Sequence, residues 1–100
     1  MEDAVKTSKF EKFSKASELL KAISYPYRLE ILKLLEDEEY HSVSEIQNSI
    51  GIEASLLSHH LSKMKDRGII VPYREGRYIY YKLSSTDVIK VLDCIDKCNL

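Results

Sequence analysis

A single glycine, Gly51, separates two short helical patterns in the middle of the chain. Ser42, followed three residues later by Glu45, predicts a capping box, in which the hydroxyl and the carboxylate each accept a backbone N–H of the first helical turn. Ile46 and Ile50 then lie on one face, and Gly51 permits the left-handed backbone that ends a helix. The stretch therefore predicts a short helix followed by a tight turn.

The second helical pattern begins near Ala54 and has one packed side and one free side. At about 100° per residue, Leu57, Leu61 and Met64 fall together on the packed side. The free side carries Ser55, His59, Ser62 and Lys63. Hydroxyl, imidazole and ammonium groups are those that reach base edges and phosphates when a helix lies in the DNA major groove. The pair of patterns favours a helix-turn-helix with a recognition helix, and a solvated amphipathic helix is the alternative.

The composition fits one small domain with a local basic segment. With 100 residues, 44% hydrophobic and 31% charged, the chain predicts one domain over residues 1–100, and burial between subunits would supplement its limited core. Residues 54–82 carry 6 basic and 2 acidic side chains (+4), whereas residues 1–53 carry 7 basic and 11 acidic ones (−4). This asymmetry favours a DNA-facing surface on an otherwise acidic body.

Several function classes are disfavoured by the sequence. The chain has neither an apolar run of about 20 residues, as a membrane span needs, nor the apolar stretch of a signal peptide. We therefore expect a cytoplasmic protein without a membrane partner. We do not expect an enzyme, because no glycine-rich phosphate loop, paired metal ligands or nucleophile elbow accompanies the histidines and cysteines.

The first and last helices are predicted to form a dimer interface. Residues 6–23 place apolar side chains at helical spacing, and Phe10 and Phe13 among them pack either on the domain's own core or on a second subunit. Residues 85–87 offer hydroxyl and carboxylate caps for a last helix with one apolar stripe. We expect the first helix, of the same or a partner subunit, to cover that stripe. The stripe consists of Val88, Leu92 and Ile95.

A second helix is predicted between the first helix and the central motif. Pro26 suits its first turn, and the leucines and isoleucine that follow give a wide apolar face, which predicts burial. The acidic run from Glu36 to Glu39 lies where the helix dipole disfavours carboxylates, so the helix should end there in a solvated loop. Residues 40–43 could form a very short strand.

A β-hairpin is predicted after the recognition helix. Residues 69–83 contain two β-prone runs separated by Glu75 and Gly76, and Gly76 permits the positive φ of a tight turn. Arg74 and Arg77 flank the tip, where they either contact a DNA backbone or minor groove or only aid solubility. Pro72 cannot donate to a ladder, which indicates an edge position. The hairpin is typical of the wing of a DNA-binding domain.

Four motifs follow one another at fixed spacing: A-I-S-Y-P-Y-R-L-E-I-L-K-L-L, V-S-E-I, S-H-H-L-S-K-M and R-E-G-R-Y-I-Y-Y-K-L. In this order the chain resembles the arsenic-repressor (ArsR/SmtB-like) winged-helix regulators over about residues 15–97. The resemblance implies a mainly α winged helix-turn-helix with a small β-hairpin, in the order α-α-(short β)-α-α-β-β-α. It also implies a homodimeric repressor that binds operator DNA of dyad symmetry and is often released by a metal ion or another signal.

Matched residue by residue, the resemblance implies DNA contacts from the recognition helix and the hairpin tip. Leu56 stands where the family commonly has Thr and could meet a thymine methyl group, and Glu53 stands where a capping Ser or Pro is usual. His60 lies toward the packed side, which favours a structural or phosphate-contacting role. With the free-side residues above, the predicted DNA contacts are Ser55, Leu56, Ser58, His59, His60, Ser62, Lys63, Arg74, Gly76 and Arg77.

The resemblance does not extend to the family's metal sites. Residues 43–46 lack the thiols of one site, and no histidine follows His60 to supply the other, so no metal ion or cofactor is predicted. Cys94 and Cys98 share one ridge of the last helix. They are either small interfacial hydrophobes or a site for an oxidant, a sulfide species, arsenite or a soft metal. The function alternatives are a winged-helix protein-interaction module and a constitutive DNA binder without an inducer.

Overall fold

The computed structural model describes residues 2–85 and 87–99, and it has the predicted order of helices and strands. No helix in these ranges is long and apolar enough to cross a membrane. Thr86, within the predicted cap of the last helix, lies outside them, but Asp87 N–H donates to Ser85 Oγ at 3.2 Å. The elements are α1 Glu2–Ile23, α2 Pro26–Leu34, a 3-10 turn Leu35–Asp37, β1 His41–Ser42, α3 Val43–Ile50, α4 Ala54–Asp66, β2 Ile70–Glu75, β3 Tyr78–Leu83 and α5 Asp87–Lys97.

The predicted helix-turn-helix is formed by α3 and α4. Ser42 Oγ accepts the backbone N–H of Glu45 at 3.0 Å, which caps α3. The second hydrogen bond of the predicted capping box, in which the Glu45 carboxylate accepts a backbone N–H, is wrong. The carboxylate binds Nδ1 of His41 instead. Gly51 ends α3 with φ +73°, and its N–H donates to the Gln47 carbonyl at 2.8 Å. The turn therefore forms where the sequence predicted it.

His41 also changes the interpretation of the acidic run. Its ring Nε2 lies 2.8 Å from Asp37 Oδ2, and its Nδ1 contacts Glu45. Partial burial opposes a positive charge on His41, but hydrogen bonds with the two carboxylates outweigh it and raise the pKa of the imidazole. Asp37 therefore belongs to a charged link between the 3-10 turn and α3, whereas the sequence predicted only a solvated loop.

The hairpin is part of a three-stranded antiparallel sheet in the order β1-β3-β2. Pro72 lies on β2, opposite Tyr81 of β3. β2 is an edge strand, as predicted. β1 pairs with β3 on the other side, so that Ser42 lies opposite Tyr80. The two-residue turn is Gly76–Arg77, one residue later than the predicted Glu75–Gly76, because Glu75 still pairs with Tyr78 in the ladder. Gly76 has φ +63°, the backbone that a hairpin turn of type II′ needs at its first central residue.

The core lies between α2, the helix-turn-helix and one face of the sheet, and it confirms that the second helix is buried. Ridges of α2 and α4 supply much of it, in line with their predicted apolar faces. β3 contributes alternate residues, Tyr81 and Leu83, as expected for a sheet with one covered face, whereas β2 contributes its first residue, Ile70. The side chains with the least exposure are Ile31, Leu32, Leu35, Ile46, Leu57, Met64 and Ile70.

Most of α1 extends away from this core. Ala22 and Ile23 at its end are buried, but Phe10, Phe13 and Leu20 are 72%, 64% and 52% exposed. The radius of gyration is 15.5 Å, against about 13 Å for a compact domain of this length. Of the two alternatives for Phe10 and Phe13, packing on the domain's own core is therefore wrong for this chain.

Two of the three residues in the apolar stripe of α5 are covered within the same chain, and Ile95 remains half-buried. Val88 and Leu92 are buried in the core, and Lys33 Nζ of α2 lies 2.6 Å from Asp96 Oδ2 of α5. The expectation that α1 covers this stripe is thus wrong, because α2 packs there. Helical spacing shows which side chains need a cover, but it does not show which element supplies it.

Candidate nucleic-acid interface

One side of α4 is free of the core over its whole length. The buried residues of α4, all on the other side of the helix, are Leu57, His60, Leu61 and Met64. At about 100° per residue, the exposed predicted contacts span an arc of about 160° on the opposite side. We call this surface the recognition face. It consists of Ser55, Leu56, Ser58, His59, Ser62 and Lys63.

Glu53 caps α4, at the position where the resemblance implied Ser or Pro. Its carboxylate accepts the backbone N–H of Ser55 at 3.1 Å and also the Ser55 hydroxyl. These hydrogen bonds, led by that from the hydroxyl, hold the pKa of Glu53 below its ordinary value. The Ser55 hydroxyl thus already donates, and its oxygen remains available to accept a hydrogen bond from a donor on a base, such as an amino group.

His60 does not belong to the recognition face, which corrects its place among the predicted DNA contacts. It is only 6% exposed, and its Nδ1 accepts a hydrogen bond from Arg28 Nε at 2.9 Å. Burial, together with the charges of Arg28 and His59, lowers the pKa of His60. Its angular position predicted this packed orientation, because the helix turns residue 60 toward the same side as Leu57 and Leu61.

Sequence reasoning did not single out Arg28, which the structure places beside His60. It is 6% exposed, and it occupies the same stripe of α2 as Ile31, Leu32 and Leu35. The sequence offered one indication of such a contact: Arg28 occupies the first position of an apolar stripe with the spacing i, i+3, i+4, i+7. A guanidinium buried in such a stripe needs polar partners. The sequence does not identify those partners.

The hairpin presents two exposed guanidinium groups at different positions. Arg74 lies on β2 opposite Ile79, on the sheet face that carries Ile70 farther along the strand. Arg77 lies in the turn, with its Cζ 5.8 Å from the ring centroid of Tyr78. Gly76 supplies only backbone at the tip. The two arginines could therefore approach separate phosphate groups, or one could enter a minor groove.

The two cysteines are exposed, free thiols on the outer side of α5. Within residues 2–85 and 87–99, no group of three or more His, Cys, Asp or Glu side chains is arranged to hold a metal ion. Any metal or metalloid bound through Cys94 and Cys98 would thus need ligands from outside this set, for example from a second subunit.

A helix-turn-helix followed by a basic hairpin on a three-stranded sheet defines a winged helix-turn-helix protein. The family model "Bacterial regulatory protein, arsR family" matches residues 26–71. MJ1325 of Methanocaldococcus jannaschii, an uncharacterized HTH-type transcriptional regulator, is 33% identical over 87 residues, which are 87% of this chain and 98% of that protein. The chain belongs to the arsR family and is a DNA-binding transcriptional regulator.

Solved structures agree with this assignment. Reduced HlyU from Vibrio cholerae superposes with a TM-score of 0.81 at 31% identity, over 90% of this chain and 94% of that one. The homodimeric winged helix-turn-helix domain of Mb0332 from Mycobacterium bovis superposes with a TM-score of 0.73 at 26% identity, over 88% of this chain and 81% of that one. The winged fold therefore extends over nearly the whole chain.

Proposed function

We propose that this chain is a sequence-specific transcriptional repressor that binds operator DNA of dyad symmetry as a homodimer. The observation that carries the proposal is the recognition face, a continuous exposed surface of hydroxyl, imidazole and ammonium groups on a helix whose other side is fixed in the core. Residues 1–100 act as one DNA-binding domain with dimerisation helices at both ends. The test is selection of bound duplexes from random DNA, and enrichment of a sequence with dyad symmetry is the expected result.

The recognition face and the wing have different roles in this proposal. Ser55, Ser58, His59 and Ser62 contact base edges, and Leu56 contacts a thymine methyl group. These contacts carry specificity. The charged groups bind phosphates and carry affinity. They are Lys63, Arg74 and Arg77.

The dimer proposal is supported by the exposed apolar side chains of α1. Phe10, Phe13 and Leu20 recur at helical spacing, and a monomer would leave all three in water. An isologous interface would bury these three side chains in both subunits. α5 contributes its outer ridge with Cys94 and Cys98, because α2 already covers Val88 and Leu92. The homodimer of the related Mb0332 domain is consistent with this arrangement.

Replacing Arg74 and Arg77 with Ala should weaken binding to operator and to unrelated DNA alike, because phosphate contacts do not depend on sequence. The slope of log affinity against log salt should become shallower by about 0.9 for each phosphate that the variant no longer neutralises. Binding measured at several salt concentrations checks this. The matched control replaces Lys12 and Lys15, two exposed lysines on another face of α1 than Phe13 and Leu20, and should leave the slope unchanged. A double Arg variant with the native slope would exclude the hairpin from DNA contact.

We further propose that a thiol-reactive signal at Cys94 and Cys98 releases the DNA. A disulfide within one helix would force both side chains out of their rotamers, so oxidation should join thiols of two subunits. When two thiols form a disulfide, they give two electrons and two protons to an oxidant such as hydrogen peroxide, which is reduced to water. Arsenite or a soft metal could bridge the same thiolates. Either change would alter the relative orientation of the two recognition helices.

The thiol proposal predicts that operator affinity of the native protein falls about 5- to 150-fold on treatment, the range of ordinary coupling free energies. The Cys94→Ser, Cys98→Ser variant should retain its affinity. Both proteins are compared when reduced, oxidised, and titrated with arsenite and soft metals at one salt concentration. If no treatment changes the native affinity, the cysteines are packing residues and the protein binds DNA constitutively or responds elsewhere. If selection enriches no DNA sequence, a protein-interaction module is the better interpretation.

A further inference from the structure

Arg28 joins three elements that are separate in the sequence. Its Nη1 donates to the carbonyl of Ala22 on α1 at 2.9 Å, and its Nε donates to His60 Nδ1 on α4 at 2.9 Å. Its Cζ lies 4.0 Å from the ring centroid of Tyr25, immediately before α2. Arg28 thereby links the corner between α1 and α2 to the middle of the recognition helix.

The Arg28 to His60 hydrogen bond determines the protonation state of His60. A guanidinium can only donate, so Nδ1 must be an acceptor and the ring is neutral, with its proton on Nε2. The titratable or charged groups that face His60 are His59 on α4, Arg28 and Tyr27 on α2, and Tyr25 before α2. None of these four groups is a carboxylate, and burial and the neighbouring charge of Arg28 both oppose protonation of His60.

We infer that Arg28 and His60 are positioning residues for DNA binding, and that protonation of His60 in mild acid breaks the link through Arg28 between the recognition helix and α1. The inference rests on the proposed function. His60 adjoins His59 on the recognition face, and Ala22 lies at the end of the proposed dimerisation helix. The Arg28 to His60 link therefore fixes the recognition face relative to the dimer interface, and with it the separation of the two recognition helices, which must match half-sites about 34 Å apart.

Protonation acts on this link in two ways. It removes the lone pair of Nδ1 that accepts from Arg28, and it places two positive charges side by side in a buried position. Because the pKa of His60 is lowered on folding, the stability that its neutral form provides is complete above its unfolded pKa and is lost as pH falls through the folded pKa. If operator binding needs the intact link between Arg28 and His60, operator affinity also decreases as pH falls.

The test compares the native protein with His60→Asn. The side-chain carbonyl oxygen of Asn can take the place of Nδ1 as acceptor for Arg28, and it does not titrate. Affinities for the selected operator and for a scrambled duplex are measured from about pH 8 to about pH 5 at fixed ionic strength. His59 is present in both proteins, so the difference between the two profiles reports His60. Circular dichroism at each pH confirms that both proteins remain folded.

The expected result is an operator preference that falls about 5- to 150-fold in the native protein as pH decreases and stays level in His60→Asn. Arg28→Lys should weaken operator binding even at high pH, because one ammonium cannot reproduce the planar fork to His60 and Ala22. By reciprocity, operator DNA should lower the pKa of His60 in an NMR titration of the native protein.

Three results would overturn the inference. Coinciding pH profiles of native protein and His60→Asn would show that His60 does not control binding. If His60→Asn does not fold, the NMR titration of the native protein decides instead. A pKa of His60 that does not change when operator binds would also show that His60 does not control binding. If the native protein prefers no DNA sequence even at high pH, the proposed function fails first and the inference fails with it.

Discussion

Replacing Phe13 and Leu20 with Glu is expected to give a folded monomer whose operator affinity is about 10²- to 10⁴-fold lower than that of the native protein. Both side chains are more than half exposed, so their replacement leaves the core intact. Within a dimer, the new carboxylates would be buried against a second copy without a partner, at a cost that dissociates it. The loss of affinity follows because each monomer then binds one half-site without the effective concentration that its linked partner provides.

Sedimentation velocity measures the oligomeric state, and operator binding is measured on the same samples. The matched control is Ser8→Glu, Lys12→Gln, which changes the net charge by the same amount on exposed positions of another face of α1. This control should remain dimeric and should bind operator with nearly native affinity. A Phe13→Glu, Leu20→Glu protein that still sediments as a dimer would contradict the proposed role of α1.

Replacing Ser55 and His59 with Ala should lower operator affinity by about 1–3 kcal/mol for each base that is no longer read, or about 5- to 150-fold per base. Affinity for unrelated DNA should remain nearly constant, because its phosphate contacts persist. The recognition helix should still form in the Ser55→Ala variant, because the backbone N–H of residue 55 keeps its hydrogen bond to Glu53. The expected effect is therefore on recognition and not on folding.

Paired titrations with the selected operator and a scrambled duplex, at one salt concentration, separate the two kinds of binding. Ser8→Ala, an exposed serine of α1, serves as the control. Equal losses on both duplexes would remove Ser55 and His59 from base readout and would assign them to phosphate binding. A thermal melt of each variant shows whether stability has changed.

The sequence alone determined the order of helices and strands and the sides of α2 and α4 that face the core. The reason is that these features depend on local periodicity and on nearby chain geometry. The spacing of Leu57, Leu61 and Met64 predicted the packed side of α4, and with it the free side on which Ser55 and His59 lie. Gly51 and Gly76 predicted both turns, since each position needs a positive φ that other residues rarely adopt.

Only the tertiary structure decided which elements meet. Arg28 and His60 are 32 positions apart, and a single periodic pattern contains no information about such a distant partner. For the same reason, the periodic pattern of α5 led to the wrong cover for its apolar stripe, and the pairing of β1 with β3 was not predicted. Local propensity determines what each element needs to bury or to hydrogen-bond. The packing of the whole chain determines the partner, because burial and hydrogen bonding over long sequence separations depend on how all elements fit together.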